Sequence, residues 1–189
     1  MSKRRIYLLR HGQAMHNVDK SWPARDPPLT ELGIQQSEAV LLPTIPDFVV
    51  CSPMRRTIQT MHAVLSKLNL DKGPSRDDIP IEIWPNLREA TNAPHNNGSS
   101  KAEMVAAYPL LDFIRCNEEW DYEENTDETA AARAVEVLEE LRTRPEMNIL
   151  VVGHRVFFWY LVGGKRFVNC ELRSYEFNET GTMVEIERL

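Results

Sequence analysis

One short apolar segment near the start of the chain leads directly into residues that could do chemistry. Residues 6–9 are apolar and are followed by Arg10, His11 and Gly12. Histidine can act as a nucleophile near neutral pH, a guanidinium offers a planar fork of donors that suits phosphate, and glycine lets the backbone approach a ligand closely. Together these residue types indicate attack on phosphorus. For His11 alone the alternative is an ordinary turn residue, so other segments must supply its partners.

Side chains suited to the same chemistry follow three other predicted strands. They are Arg55 and Arg56 after residues 48–52, Glu89 after residues 79–84, and His154 after residues 147–152. A solvated arginine pair and a surface carboxylate are the alternatives for these residues taken singly. Because α/β sheets bind their ligands at the carboxyl ends of the strands, we expect these side chains to gather at one edge with residues 10–12.

Helical patterns alternate with the strands along the chain. They follow Thr30, the predicted N-cap, and Pro53, and recur at residues 101–108, 126–144 and 154–161, before a predicted hairpin of strands at residues 166–178 and 182–188. After Thr30 the residues at helical spacing are Leu32, Gln35, Gln36, Ala39 and Val40. The alternation predicts an α/β fold, a three-layer α/β/α sandwich with a mostly parallel sheet and helices on both faces.

The chain is predicted to form one domain with an insertion near the site. A length of 189 residues favours a single domain over residues 1–189. Residues 90–125 are irregular apart from one short helix, and long irregular insertions in compact domains are usually functional, so we expect a cap-like insertion there. Within it Trp120 and Tyr122 are candidate apolar walls for a substrate. His95 could reach the pocket, but for a loop histidine we expect a solvated side chain.

Composition narrows the class of protein. The chain is 42% hydrophobic and 26% charged, as folded proteins are, and its formal net charge of −6 disfavours nucleic acid as a partner. Only a few apolar residues follow the basic N-terminus, so we expect no secretory signal and no membrane span. Cys51, Cys116 and Cys170 are odd in number and widely separated, which argues against a disulfide framework or a zinc site and favours a cytoplasmic location.

Five segments resemble the histidine phosphatase superfamily, the phosphoglycerate-mutase-like fold, and follow the family's order along the chain. They are LRHGQ at residues 9–13 with Asn17, DPPLT at residues 26–30 with Gly33 and Gln36, SPMRRTIQT at residues 52–60, LRE at residues 87–89, and VVGH at residues 151–154. Together they are far more specific than any one of them alone. The loop over residues 87–108 most resembles the short fungal phosphatase-like members of the family.

The resemblance implies a role for each matching residue. His11 is then the nucleophile that takes the phosphoryl group on a ring nitrogen. Arg10, Arg56 and His154 surround the phosphoryl oxygens. Glu89 donates a proton to the leaving oxygen and afterwards activates the water that hydrolyses the phosphohistidine.

The resemblance also assigns the phosphate contacts and the cofactor requirement. Asn17 and the backbone at Gly12 are expected to add hydrogen bonds to phosphate. Arg56, rather than Arg55, matches the family's arginine, because a small residue and then the apolar face of the helix follow it. The family's chemistry requires neither a metal ion nor an organic cofactor.

Two features depart from the family's pattern. Arg155 follows His154 where many relatives have a small residue, and it either narrows the site or binds a second anionic group of the substrate. After Glu89 the run ATNAPH at residues 90–95 does not match true phosphoglycerate mutases, and the chain lacks the length of their substrate insert and C-terminal tail. A mutase must hold its phosphohistidine away from water, so a shorter and more open relative is expected to hydrolyse it.

Three functions follow as hypotheses. The leading one is a metal-independent phosphatase that acts on a small phosphorylated metabolite through a phosphohistidine on His11. The second is a phosphoglycerate-mutase-type phosphotransferase. The third is a degenerate, non-catalytic member that binds a phosphorylated ligand or a protein, which Arg155 and the aromatic residues 157–160 motivate.

Overall fold

The computed structural model describes residues 4–19, 21–68 and 79–186. Its strands are β1 (Arg5–Arg10), β2 (Phe48–Cys51), β3 (Ile81–Ile83), β4 (Asn148–Gly153), β5 (Leu172–Phe177) and β6 (Met183–Ile186). Its helices are α1 (Met15–Val18), α2 (Glu31–Glu38), α3 (Arg55–Ser66), α4 (Lys101–Ala107), α5 (Asp127–Thr143) and α6 (Arg155–Val162), with 3₁₀ turns at Pro85–Leu87 and Pro94–Asn96. Strands and helices alternate through most of the chain, as the sequence predicted.

The strands form one sheet of mixed direction. Their order across the six-stranded sheet is β3-β2-β4-β1-β5-β6. The first four of these run parallel, whereas β5 is antiparallel to β1 and β6 is antiparallel to β5. The parallel part is the centre of the fold, and the predicted hairpin forms one side of the sheet.

Helices cover both faces of the sheet. In β1 the side chains of Ile6 and Leu8 pack into a buried cluster with α5 and α6. Tyr7 and Leu9, which point to the other face, pack into a second cluster with α3. Because successive side chains of a strand alternate between faces, two apolar layers result. The α/β/α sandwich predicted from the sequence is confirmed.

The register of the central strands brings their carboxyl ends to one level. Arg10 of β1 pairs with Gly153 of β4, and Cys51 of β2 pairs with Val152 of β4. The residues that follow these three strands are therefore neighbours at one edge of the sheet. The backbone N–H of His11 donates to the carbonyl of Gly153 at 3.1 Å, which continues the pairing one residue beyond the strands.

Helix α2 does not bury the residues that predicted it. Thr30 is its N-cap, as predicted, and the Thr30 side chain accepts a hydrogen bond from the N–H of Gly33. The buried residues are Gly33 and Ser37, while Leu32 is 49% exposed. A Cβ on Gly33 would lie 2.0 Å from the carbonyl oxygen of Gln13, so this helix packs through a face of small residues. Such close backbone packing carries no hydrophobic periodicity for a sequence pattern to detect.

Other boundaries differ from the predicted ones. The strand predicted from residue 166 begins only at Leu172, because Cys170 has a φ of +57° and cannot lie in extended backbone. Its hairpin partner is Met183–Ile186, and the predicted residues 187–188 lie outside the described residues. The short helix α1, which no sequence pattern predicted, includes Asn17.

The three cysteines, all within the described residues, are free thiols. Among the helices in the described ranges, none is long and apolar enough to cross a bilayer.

Candidate active site

His11 follows the last residue of β1, and its side chain is buried, with 2% of the residue exposed. The ring Nδ1 lies 2.7 Å from the carbonyl oxygen of Gly12. A carbonyl oxygen can only accept, so Nδ1 carries the hydrogen and donates it. In the neutral ring the lone pair is then on Nε2. The backbone of the next residue thus selects the tautomer of His11.

His154 occupies the equivalent place after β4, and its ring centroid lies 5.2 Å from that of His11. Its Nδ1 lies 3.3 Å from Nη2 of Arg56, and its Nε2 lies 2.8 Å from the hydroxyl of Ser52. A guanidinium only donates, so Nδ1 accepts, and in the neutral ring Nε2 donates to Ser52. The two histidines are therefore opposite tautomers.

Arg56 lies in the first turn of α3 and is fully buried. Its Nη2 donates to Oδ1 of Asn96 at 2.9 Å, and its Nη1 donates to the carbonyl of His95 at 3.2 Å. Within the described part of the chain its Nε has no hydrogen-bond partner. Burial lowers the pKa of Arg56 to about 10, so it stays charged at neutral pH. Its direct partners are neutral groups, which leaves its charge available to an anion.

Arg10 brings a second buried guanidinium to the same edge. Its Nη1 donates to the carbonyl of Phe167 at 3.0 Å, and no group among the described residues pairs with its Nε. Burial, together with the charge of Arg155, lowers the pKa of Arg10 to about 10. Arg155 itself is exposed at the first position of α6, so it lies at the margin of the site.

Burial also decides the charge of the two histidines. It is the main reason why the pKa values of His11 and His154 lie well below the usual 6.5, and the charge of Arg56 lowers both further. Both rings are neutral at pH 7 in the site without a ligand. A neutral His11 has the Nε2 lone pair that a nucleophile requires.

Glu89 is held at the N-terminus of α6. Its Oε1 accepts hydrogen bonds from the backbone N–H groups of Ala90, Val156 and Phe157 at 2.9, 3.1 and 2.9 Å. Because α6 begins directly after His154, this contact brings the carboxylate to the edge where the histidines lie. The sequence placed Glu89 at the exit of a strand, whereas a 3₁₀ turn separates it from β3.

Gly12 joins the loop after β1 to α3 and to the ring of His11. Its N–H donates to the hydroxyl of Thr60 at 3.0 Å, and its carbonyl accepts from His11, so both of its polar backbone atoms already have partners. A Cβ on Gly12 would lie 2.5 Å from the carbonyl oxygen of Gly33. The absence of a side chain at Gly12 thus permits a close approach to α2. Gly12 therefore orients His11 and packs against α2, and its contact with phosphate stays a prediction.

Asn17 lies in α1, where its side chain joins the N-terminal end of the helix to the segment before β5. Its Oδ1 accepts from the N–H of Ala14 at 3.0 Å and from Nδ2 of Asn169 at 3.3 Å. Its Nδ2 lies 3.1 Å from Nε2 of His16. Asn17 therefore orders the loop beside His11, and its contact with phosphate stays a prediction.

Several residues at this site were not identified from the sequence. His95, expected to be solvated, is half-buried and stacks on His16 with ring centroids 4.3 Å apart, and His16 lies 5.9 Å from His11. Ser52 could have been found, because it directly follows β2 as His11 follows β1. Asn96 lies in a 3₁₀ turn with no local sign of its contact with Arg56, so no sequence pattern would have found it.

The fold and this site define an α/β protein that gathers two histidines, two arginines and a carboxylate at one edge of its sheet. No group of three or more His, Cys, Asp or Glu side chains in the described ranges is placed to hold a metal ion. The chain belongs to the histidine phosphatase superfamily, branch 1, whose family model matches residues 6–180. The family resemblance noted from the motifs is confirmed.

Relatives of this chain carry phosphatase and mutase-like names. The chain is 31% identical over 123 residues to a Schizosaccharomyces pombe protein named as a probable phosphatase, and the match covers 60% of this chain and 54%, about half, of that protein. It is 29% identical over 223 residues to phosphoglycerate mutase-like protein 1 of Arabidopsis thaliana, covering 89% of this chain and 79% of the relative. These names are those of the relatives.

The fold is also that of solved structures. The α-ribazole phosphatase of Shigella flexneri superposes with a TM-score of 0.63 at 20% sequence identity, and the match covers 96% of this chain and 94% of that chain. At this identity the likeness establishes the shared fold, while the chemistry must be argued from the side chains.

Proposed function

We propose that this protein hydrolyses the phosphomonoester of a small metabolite through a phosphohistidine on His11, without a metal ion. The observation that carries the proposal is the state of the His11 ring. It is buried, its pKa is lowered by burial and by two arginines, and its Nδ1–H is held by the carbonyl of Gly12. Membership of the family and the names of the relatives support the same class of reaction.

In the first step Nε2 of His11 attacks phosphorus and the bond from phosphorus to the ester oxygen breaks. The phosphoryl group carries its charge on three equatorial oxygens in the transition state. The guanidinium groups of Arg10 and Arg56 are positively charged and already in place, so they stabilise this transition state without reorganising. Such preorganised electrostatic stabilisation is usually the largest contribution to the rate enhancement. Glu89 supplies the proton that the leaving oxygen takes up.

In the second step water attacks phosphorus and the bond to Nε2 breaks. Glu89, now a carboxylate, takes the proton of the water, and His11 recovers its lone pair. His154 donates through Nε2 to Ser52 and accepts from Arg56, so it holds the guanidinium of Arg56 in place. Its place beside the phosphoryl oxygens stays part of the proposal. Inorganic phosphate leaves, and His11 and Glu89 return to the states in which they began.

The experiment traps the intermediate. Protein is mixed with 4-nitrophenyl phosphate in the presence of EDTA, quenched with alkali because the P–N bond of phosphohistidine is labile to acid, and analysed by mass spectrometry. We expect a phosphoryl adduct on His11 and steady release of phosphate. His11→Gln is expected to lose both.

The matched control is His62→Gln, which changes a histidine that lies on α3 against Tyr108. It is expected to keep both the adduct and the release of phosphate. If folded wild-type protein forms no adduct and releases no phosphate with several aryl and alkyl phosphates, the proposal is wrong. An adduct that forms but does not turn over would favour phosphotransfer or binding over hydrolysis.

A further inference from the structure

A cavity of about 220 Å³ opens beside Glu89, between the turn that carries this residue and the segment at residues 120–125. Two members of the candidate active site lie in its wall. They are Glu89, the proposed proton donor, and Asn96, whose Oδ1 accepts from Arg56 at 2.9 Å. A group bonded to the ester oxygen would have to pass Glu89, because Glu89 must reach that oxygen. The cavity is therefore placed to hold the leaving group.

One wall of the cavity is a fixed aromatic surface. Trp120 and Tyr122 meet edge to face, with ring centroids 5.0 Å apart. Trp120 packs against Gly98 so closely that a Cβ there would come within 2.1 Å of the ring. The Arg88 guanidinium lies 4.4 Å from the centroid of Tyr122, which holds this ring from one side. An ordered aromatic wall suits the apolar face of a compact leaving group.

The charged groups of the cavity are mainly carboxylates. Glu123 and Glu124 lie in its wall beside Glu89, the proposed proton donor, and Arg88 is the single cation among the described lining residues. The Arg88 guanidinium is committed to the Tyr122 ring and donates to the carbonyl of Pro85 at 3.3 Å. Carboxylates only accept hydrogen bonds, so they favour a leaving group that donates and carries no negative charge.

Two of the four amide side chains in the wall, those of Asn92 and Asn96, are already hydrogen-bonded. Asn92 donates to Oε1 of Glu124 at 3.2 Å and accepts from the backbone of Asn125. Asn96 donates to the hydroxyl of Thr91 and accepts from Arg56. Because these two amides already have partners at both ends of their side chains, the carboxylate oxygens of Glu123 and Glu124 are the main groups that a ligand meets.

The volume limits the size of the ligand. Pockets that hold drug-sized molecules have volumes of roughly 300–1,000 Å³. The cavity beside Glu89 is smaller, and it suits a single sugar ring or a short polyol. Hydroxyl groups of such a ligand would donate to the carboxylates, and its carbon skeleton would cover the aromatic wall.

We infer that the substrate is a phosphate ester of an uncharged, hydroxyl-rich molecule, a polyol or a sugar, and that Glu123 and Glu124 reject esters with a second negative charge. This inference rests on the proposed phosphatase function and goes further by naming the class of leaving group. It also assigns Arg155 no part in holding a second anionic group.

The test compares two substrates that differ in one group. Glycerol 3-phosphate and 3-phosphoglycerate share a three-carbon skeleton, but the first ends in a hydroxymethyl group and the second in a carboxylate. We expect kcat/KM to be about tenfold higher for glycerol 3-phosphate, since a carboxylate within a few ångströms of two others is repelled even when partly solvated. 4-Nitrophenyl phosphate serves as the reference substrate.

The double variant Glu123→Gln/Glu124→Gln keeps the shape of the wall and removes its charge. It is expected to reduce the preference for glycerol 3-phosphate by about threefold or more, mainly through a lower KM for 3-phosphoglycerate. The matched control is Glu118→Gln/Glu119→Gln, which removes the same charge from exposed residues just before that segment, outside the cavity wall. The control is expected to keep the wild-type ratio.

Three results would overturn the inference, and they are distinct from failure of the proposed function. Wild-type protein that hydrolyses the reference substrate but treats both test substrates alike would overturn it. So would a preference that the double variant leaves unchanged, or a preference for 3-phosphoglycerate that Arg155→Gln abolishes. If folded protein hydrolyses none of the three substrates, the proposed function fails and the inference fails with it.

Discussion

At the scale of single residues, the partners of each ring nitrogen separate two histidines that the sequence presents alike. His11 donates through Nδ1 to a carbonyl, which leaves Nε2 free to attack. His154 accepts through Nδ1 from Arg56 and donates through Nε2 to Ser52, so both of its nitrogens are engaged. The difference in hydrogen bonding explains why only His11 is assigned as the nucleophile.

Glu89→Gln tests the assigned proton donor. The amide oxygen can still accept from the N–H groups at the start of α6, so the fold should hold, but the side chain can no longer transfer a proton. We expect kcat to fall by about 10²–10⁴ for alkyl phosphates, and much less for 4-nitrophenyl phosphate, because nitrophenolate leaves without a proton. Steady-state kinetics with both substrates measure the difference. An equal loss for both would argue against proton donation.

At the scale of elements, the loop after β1 is held in place by a helix that buries no large apolar side chain. Gly12 and Gly33 allow the loop and α2 to meet backbone to backbone. The N–H of Gln13 donates to the side chain of Gln36 at 2.9 Å, and the N–H of Thr30 donates to the carbonyl of Gln13. The position of His11 therefore depends on how α2 packs.

Gly33→Ala tests this dependence. The new methyl group would lie 2.0 Å from the carbonyl oxygen of Gln13, so α2 or the loop must shift. We expect an unfolding free energy lower by about 1–3 kcal/mol, as for other overpacked sites, and a clear loss of kcat. Chemical denaturation and steady-state kinetics are the measurements. The control Gln35→Ala, at an exposed position of the same helix, should change neither, and equal behaviour of the two variants would contradict the argument.

A second tie between elements passes through Asp26, which is buried and has a φ of +48°. Its Oδ1 accepts from the N–H of Arg55 at 2.8 Å, and its Oδ2 accepts from the N–H of Ser99 at 3.3 Å. The first contact holds the start of α3, which carries Arg56. The second holds the loop that supplies Asn96. The carboxylate of Asp26 therefore holds in place both the helix that carries Arg56 and the loop that carries Asn96.

Asp26→Asn replaces one of these acceptor oxygens by an NH₂ group, which cannot accept from a backbone N–H. We expect the unfolding free energy to fall by about 1–3 kcal/mol, the cost of leaving a buried polar group unpaired. Activity should fall as well, because the start of α3 and the loop at Asn96 are no longer tied together. Asp121→Asn, at an exposed position, is the control. A variant as stable and as active as the control would show that the tie is unimportant.

At the scale of the whole molecule, an acidic protein concentrates positive charge at one edge of its sheet. The chain has a formal net charge of −6, yet Arg10 and Arg56 are buried beside His11 and His154. Burying these cations is unfavourable, and their charge together with burial keeps both histidines neutral at pH 7. The site therefore makes the stability of the whole domain depend on pH.

We expect stability to fall as the pH drops below about 6.5. The pKa values of His11 and His154 are lower in the folded state than the ordinary 6.5, so at lower pH the unfolded chain binds protons that the folded chain does not. Each histidine then removes up to about 1.4 kcal/mol per pH unit. Burial raises the pKa of Asp26, which acts in the opposite direction, but only nearer the ordinary carboxyl pKa of 3.8.

Urea denaturation between pH 5 and pH 8 measures this dependence, and His154→Gln provides the comparison. The variant has one buried histidine fewer, so its stability should fall less steeply below pH 6.5 than that of the wild type. Unchanged stability of the wild type across the range, or identical slopes for the two proteins, would contradict the assignment of neutral buried histidines.

The sequence by itself determined the class of fold and the residues that end its central strands. Arg10, His11 and His154 follow apolar runs, and Arg56 opens a helix after another strand, so local patterns sufficed to find them. These features are encoded within a few neighbouring residues. That is why the sheet, the helix cap at Thr30 and the family motifs could be predicted without a structure.

Only the tertiary structure decided the chemistry of those residues. The tautomer of His154 depends on Arg56, 98 residues away in the sequence. The position of the Glu89 carboxylate depends on Val156 at the start of α6, 67 residues away. The packing of α2 against the loop at Gly12 is likewise set by the close contact of two backbone segments that are distant in the sequence. Such contacts have no period and no composition of their own, because they arise only when the chain has brought its strand ends together.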